Sequence, residues 1–452
     1  MIMGSHHRAI TLTTLSVLAC TPEPVNGGAL SDNTTVVLTT SSDGVTSSGP
    51  SSASTGDASS ATDAVKLDVG VAADDPLDHG CSPAPGEMPG PDNPEGGSDV
   101  GFSNIWVADS EGTTVLKIDT RTMQERARYR THAQTTASPS RTSVSLNGDV
   151  AVANRGTGAD GAAGQSGVTV ISTRAETCID RNGDGQLQSS TAAGDLLDWE
   201  SDECVIWHRS FDAPSNRPVA WTSGSYDAEA CRWVDTYVWT ATSAAPGTAR
   251  VLLLDGDDGE IVGDVVIDGW TTNDDRVVYG GAVDSHNDFW FIPPDGNQLG
   301  HVRFDDLTYE VIEGPDHGDY GIFVDSSDRV LIANGSLARY DPADGTWVVG
   351  SCQCTQTGQR PNGELWANSL VQIDQNSLNT LTPPDAQPGA GAPWGMSFDI
   401  DGHLMAVYFD RVERRDVDSG ETLGFHPTDN PLFYTYSDMT GWGLLNVVNP
   451  AG

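Results

Sequence analysis

From residue 104 onward, short apolar runs alternate with clusters of Asp, Asn, Gly and Pro. This is the pattern of β-strands punctuated by tight turns. Residues 279–314 show it most plainly, with GGAVD, DFWFIP, GHVRFD and TYEVIE reading as four strands. A lone four-stranded sheet leaves two faces and two edges to cover, so it needs neighbours. Residues 320–350 and 393–427 repeat the plan. Each has a small residue, an apolar strand ending in Asp, a turn, an aromatic-rich strand, and a strand ending in Asp before another turn. Self-similar four-stranded units in tandem are the signature of propeller blades.

The whole series predicts an all-β, seven-bladed β-propeller. Residues 104–130 supply three strands, and six further blades cover 141–212, 217–269, 279–314, 320–350, 360–384 and 394–427. The incomplete first blade calls for a strand from elsewhere. TGWGLLNVVN at 440–449 is the candidate, since closing the ring with the last segment removes an open edge. SCQCTQTGQRPNGE stands where the sixth blade should begin, so six blades plus an irregular segment is the alternative.

IWVAD at 105–109, VDSSDRVLIAN at 324–334 and GELWANS at 363–369 resemble the propellers of the streptogramin (virginiamycin B) lyase family and NHL-type repeats. The resemblance spans 104–449 and implies, for an enzyme, carbon–oxygen lyase chemistry with Mg²⁺, histidine and carboxylates around the central channel. His286 and His403 fall in turns, His301 on a strand and His317 ahead of one, and none matches that catalytic histidine. No GxSxG, HExxH or phosphate loop is present. A ligand- or protein-binding or scaffold module is therefore expected. A Mg²⁺-dependent lyase and a structural envelope protein without a ligand are the alternatives.

Composition adds the setting. Lys plus Arg total 23 against 64 Asp plus Glu, a formal charge of −41. That excess excludes nucleic acid as a partner and disfavours anionic lipid surfaces. Much of it is turn chemistry, because Asp suits tight turns. Residues 1–20 read as an export signal, and Val17-Leu18-Ala19-Cys20 resembles a bacterial lipobox, which implies lipidation of Cys20. An ordinary secretory signal is the alternative. Residues 21–99 are rich in Ser, Thr, Gly, Asp and Pro and cannot bury enough apolar surface to order themselves. Lipobox, spacer and propeller together resemble myxobacterial lipoproteins. They place the domain (100–452) as a monomer in the bacterial cell envelope, lipid-anchored, periplasmic or at the cell surface.

Three sets of residues carry candidate chemistry. Asp180, Asn182, Asp184 and the Gln186 carbonyl lie at the spacing of the first half of an EF-hand or dockerin Ca²⁺ loop, inside an insertion at 175–204. Thr191 stands where an EF-hand has its bidentate Glu, so Asp195 is the candidate to fold back, and modest affinity is expected. Setting Cys20 aside leaves Cys81, Cys178, Cys204, Cys231, Cys352 and Cys354, an even count that favours disulfides in an exported protein. Cys178 and Cys204 bracket the insertion; Cys352 and Cys354 are expected to bond to Cys81 and Cys231, with metal binding by the CxC pair as the alternative, though no His clusters with it. Finally, Arg141, Arg217, Tyr279, Tyr320, Arg360, Trp394 and Trp442 precede the expected first strands, which line the channel of a propeller. They are expected to ring one mouth, as a site for a protein, peptide, carbohydrate or anionic ligand. Packing between blades is the alternative role.

Overall fold

Seven antiparallel sheets, each with its strands in sequence order, stand around a common axis as the blades of a propeller. The structure is a computed structural model and describes residues 103–156, 166–227, 229–245, 247–270, 278–294, 296–315, 320–352, 354–381, 393–428 and 433–448. The export signal with Cys20, the spacer and Cys81 lie outside these residues. The innermost strands of blades 2 to 7 are Pro139–Val144, Asn216–Trp221, Gly280–Val283, Gly321–Val324, Thr357–Gln359 and Gly395–Phe398. Each packs beside the next, which makes the wall of the channel. Glycine begins three of these strands, at 280, 321 and 395, where the wall is crowded. A Cβ on Gly321 would lie 2.2 Å from Thr355 O, and one on Gly395 would lie 2.1 Å from Thr435 O.

The Asp that ends an inner strand closes the turn that follows. Asp284 Oδ1 accepts the amides of His286 and Asp288, Asp325 Oδ1 those of Ser327 and Arg329, and Asp399 Oδ1 that of His403. Further out, Asp255, Asp341, Asp374 and Asp416 accept amides two residues ahead in the same way. Between the sheets lie the apolar second and third strands. Trp239 of blade 3 stacks on Phe289 of blade 4 with centroids 5.6 Å apart, and Phe291 continues the stack toward Trp270.

Ring closure uses a different segment from the one the pattern indicated. Residues 440–449 do not form a strand: Trp442–Val448 is an α-helix, α1. Five of its residues (Trp442, Leu444, Leu445, Asn446 and Val447) are buried, and a helix enclosed on most sides shows no amphipathic period. The strand's place is taken by residues 433–439. Phe433 bridges Asp109, Tyr434 N donates to Ala108 O, Trp106 N donates to Met439 O, and Tyr436 bridges Arg141 of blade 2. This segment is the innermost element of blade 1, whose other strands are Asn104–Asp109, Thr114–Asp119 and Glu125–Arg130. The seam is also held by ion pairs. Arg121 of blade 1 grips Asp401 of blade 7 at 2.9 Å, Asp401 also accepts Arg414, and His426 of blade 7 lies 3.4 Å from Glu125 of blade 1.

Blade 6 begins at Thr357, earlier than expected, and has three strands among the described residues. Its inner strand, Thr-Gly-Gln, carries no apolar residue and so left no trace in the pattern. Blade 2 carries the insertion. Blade 3 carries an extra hairpin, Ser225–Asp227 with Arg232–Val234. Among the described residues no helix is long and apolar enough to cross a membrane.

Candidate functional site at the channel mouth

All inner strands run the same way, so the residues that open them meet at one mouth of the channel. Arg141 is the third residue of Pro139–Val144 and Arg217 the second of Asn216–Trp221, while Tyr279, Tyr320 and Trp394 each stand one residue ahead of their strands. The first four converge. The Arg141 guanidinium lies 4.9 Å from the Tyr279 ring centroid and 4.3 Å from that of Tyr436, and the Arg217 guanidinium also lies 4.9 Å from the Tyr279 centroid. Tyr320 packs on Tyr279 at 5.2 Å, and Trp394 lies 5.9 Å from Tyr434.

The other two expected members lie elsewhere. Arg360 follows its inner strand instead of preceding it, so it belongs to the opposite end, where it pairs with Glu364 and Asp418. Trp442 is on α1 and donates from Nε1 to Gln359 O, also at that end. Asn446 of α1 donates to Gln359 Oε1, and the carboxylate of Asp438 accepts the amides of Gly443 and Leu444 and so caps the helix. The cavity left along the axis between these ends is lined by Val219, Gly281, Ile322, Gly358, Met396 and Leu444, among others.

Tyr434, Tyr436 and Arg155 complete the mouth, and the sequence pattern did not single them out. Tyr434 and Tyr436 are two apart in extended chain, so both face the channel. That spacing was the available signal. The hydroxyls form a cluster: Tyr320 to Tyr436 at 2.6 Å, Tyr320 to Tyr434 at 2.9 Å, and Tyr279 to Tyr434 at 3.2 Å. Arg155 lies 4.9 Å from the Tyr434 ring and donates from Nε to Ser138 O.

Among the described arginines some hold carboxylates, while others, such as Arg130, Arg181, Arg209 and Arg339, turn their side chains to backbone carbonyls. Arg121, Arg128, Arg250, Arg329 and Arg414 each hold a carboxylate. Arg141, Arg155 and Arg217 hold none among the described residues, and the acceptors of Arg141 and Arg155 are neutral. Arg141 is 1% exposed and Arg217 6%. Arg141 Nε and Nη2 and Arg217 Nε are buried without a hydrogen-bond partner. Burial and the neighbouring Arg155 push Arg217 down to about 10, which leaves it charged at neutral pH. Burial alone would raise the Tyr279 phenol, but the guanidiniums of Arg141 and Arg217 outweigh it and hold it at about 8. Burial, with the other phenols adding to it, pushes Tyr320 and Tyr436 upward.

The histidines and the insertion stand apart from this mouth. His301 stacks on Trp290 at 3.8 Å and bonds to Asp288 and Glu310, and His403 lies by Asp399 and Arg414 in a turn of blade 7. His286 is exposed in a turn of blade 4, and His317 lies outside the described residues. Asp284, Asp288 and His301 come together, as do Asp399, Asp401 and His403. Their carboxylates already serve Trp290, His301, Arg121 and Arg414 as turn and seam clamps.

In the insertion, Cys178 and Cys204 are bonded and close its neck, as the spacing indicated. Cys352 is bonded to Cys354 and not to Cys81 or Cys231. Cys231 is also disulfide-bonded, with its partner outside the described residues. The loop side chains are exposed and bond to their own backbone. Asp180 accepts the amides of Gly183 and Gly185, Asn182 that of Asp184, and Asp184 that of Gln186. Asp195 does not fold back: both its oxygens are taken by Thr191, with Ala192 sharing one. Asp180, Asn182, Asp184 and the Gln186 carbonyl remain as candidate ligands.

No protein-family model matches the chain, and no curated protein sequence does. Solved structures similar to it include a streptogramin B lyase, 21% identical over 46% of this chain and 73% of that one, with a TM-score of 0.36. U3-55K is 10% identical over 67% of this chain and 84% of that one, TM-score 0.45. AztD from Citrobacter koseri is 12% identical over 73% and 96%, TM-score 0.43. No function passes to this chain from these matches.

Proposed function

We propose that the protein is an extracytoplasmic binding module whose ligand seats at the arginine- and tyrosine-lined mouth, held off a membrane by lipid on Cys20 and the spacer at 21–99. The observation that carries the binding role is the pair Arg141 and Arg217, buried, with unpartnered donors and, among the described residues, no carboxylate bound to them. A buried cation that lacks a partner is costly, and a plug serving only to fill the channel has no use for one. Half-buried Tyr320 and Trp394 add flat faces on which a sugar ring or peptide can stack. The VLAC motif and the polar spacer support the anchor.

The immobilised propeller should retain a ligand from a mixed library of small peptides, oligosaccharides and metabolites. Tyr320→Ala/Trp394→Ala should lose it while melting at the same temperature. Cys20→Ser should move the full chain from the membrane fraction to the soluble one. If the wild type retains nothing, the binding role is wrong; a Cys20→Ser chain that stays with membranes removes the anchor.

A further inference from the structure

Three arginines show how this chain grips a carboxylate. Arg121 on Asp401, Arg128 on Glu125 and Arg250 on Asp264 each donate from Nε to one oxygen and from Nη2 to the other, at 2.6 to 2.9 Å. This side-on fork is the strong, geometrically specific mode of guanidinium recognition. In Arg141 the same two atoms, Nε and Nη2, are buried and unpartnered, and only Nη1 has a contact, with Ser437 Oγ at 3.4 Å. Arg217, whose Nε is likewise unpartnered, shares the Tyr279 ring with Arg141, its guanidinium 4.9 Å from the centroid.

We infer that, granted the binding role above, Arg141 and Arg217 form an oxyanion seat, in which a carboxylate, phosphate or sulfate group is held side-on by the Nε–Nη2 edge of Arg141.

The surroundings suit that ligand. The Arg141 guanidinium carbon lies over the Tyr279 and Tyr436 rings, 4.9 and 4.3 Å from their centroids, so cation–π contacts hold it while Nε and Nη2 stay without a hydrogen-bond partner. The hydroxyls of Tyr279 and Tyr320 each lie 2.6 to 3.5 Å from those of Tyr434 and Tyr436, so the groups that cluster beside the guanidiniums are phenols. An anion gains most where cations are desolvated and acidic competitors are excluded. In a chain of net charge −41 this mouth brings together three arginines without a carboxylate among the described residues.

The seat has a built-in competitor. The Tyr279 phenol is faced by Arg141 and Arg217 from blades 2 and 3, by Tyr320 from blade 5 and by Tyr434 and Tyr436 from the closing segment, with Arg155 of blade 2 also in range. Ionising at about 8, its phenolate neutralises the same guanidiniums that an external anion would. Anion affinity should therefore fall as pH rises through about 8, and a bound anion should push the phenol's ionisation upward by the same linkage.

Calorimetry on the full chain with inorganic phosphate, sulfate and succinate tests the seat and separates the three sources. At least one should bind at neutral pH. Arg141→Gln should weaken it about tenfold or more, the loss of roughly one strong hydrogen-bonded contact. Arg141→Lys, which keeps the charge and loses the fork, should not restore it. Ultraviolet titration of tyrosinate in the wild type needs no variant: the most acidic phenol should shift to higher pH with the bound anion, and Tyr279→Phe should abolish that ionisation. If none of the three anions binds at millimolar concentration and the phenol titration ignores them, the seat is disproved. Retention of a neutral ligand that depends on Tyr320 and Trp394, without anion binding, would overturn the oxyanion seat and leave the binding module standing. Anion binding that survives both Arg141→Gln and Arg217→Gln would also overturn it.

Discussion

Glu125 stands at the joint where blade 7 meets blade 1, 2.7 Å from Arg128 and 3.4 Å from His426. Burial alone would raise its pKa; the hydrogen bonds and charges of His426 and Arg128 outweigh burial and hold it at about 2. A carboxyl depressed from 4.5 in this way adds stability that is complete above about pH 4.5 and is lost as pH falls toward 2. The contribution is on the order of a few kcal/mol. Glu125→Gln should lower the melting temperature at neutral pH and flatten its fall between about pH 5 and 2. Parallel pH profiles for the variant and the wild type would refute the assignment. The same residue-scale accounting explains much of the acidity. Asp255, Asp341, Asp374 and Asp416 spend a carboxylate oxygen on turn amides, which needs no cationic partner.

Among the elements, the insertion of blade 2 is held from three sides. Cys178–Cys204 closes its neck, Trp199 packs 5.3 Å from His208 and 6.0 Å from His132, and Asp202 and Glu203 accept Ser189, Ser190, Arg181 and Gln188. These supports leave residues 180–186 as an exposed loop on a fixed base. We propose that it takes Ca²⁺ through Asp180, Asn182, Asp184 and the Gln186 carbonyl. With Asp195 engaged by Thr191 and Ala192, the Kd should be about 10⁻⁴ to 10⁻³ M, the range of extracellular modules. At millimolar ion that adds roughly 1.5 kcal/mol at most, too little to move a large domain's melting point by more than a few degrees. Hydrogen exchange across residues 178–204 is the better readout. It should slow on adding Ca²⁺ in the wild type and stay unchanged in Asp180→Ala/Asp184→Ala. Absence of any Ca²⁺-dependent protection would leave the loop a polar turn.

For the whole molecule, stability rests on closing the ring, and the two parts of the C-terminus do different jobs. Residues 433–439 pair with both Asn104–Asp109 and Pro139–Val144, so a chain ending before Phe433 exposes inner-strand edges and loses Tyr434 and Tyr436 from the mouth. It should aggregate or melt without cooperativity. A chain ending after Met439 keeps the ring and the mouth and loses α1 with its Trp442 and Asn446 bonds to Gln359, together with the Thr440 hydroxyl's bonds to Ser397 and Phe398 O. It should fold cooperatively at a lower melting temperature. Equal melting of the two truncations, followed by calorimetry, would show that residues 433–439 do not close the ring.

What the sequence determined by itself was whatever repeats locally. Strands with apolar alternation and turns built on Asp, Asn and Gly are set within a few residues, so the blades, their number and the neck disulfide of the insertion could be read from the chain. The start of blade 6 was not legible, because Thr357–Gln359 is a strand through its neighbours' hydrogen bonds and not through its own side chains. Only tertiary structure decided which C-terminal segment closes the ring. Buried on most sides, α1 shows no period, while the 433–439 segment gains its place from partners some 300 residues away in sequence. The mouth divides the same way. Arg141, Arg217, Tyr279, Tyr320 and Trp394 were marked by their position ahead of or within inner strands, whereas Arg360 and Trp442 lay at the other end once the strand boundaries were known. That the two buried arginines would hold no carboxylate among the described residues is a property of the assembled ring, since it depends on which side chains seven separate blades bring to one point.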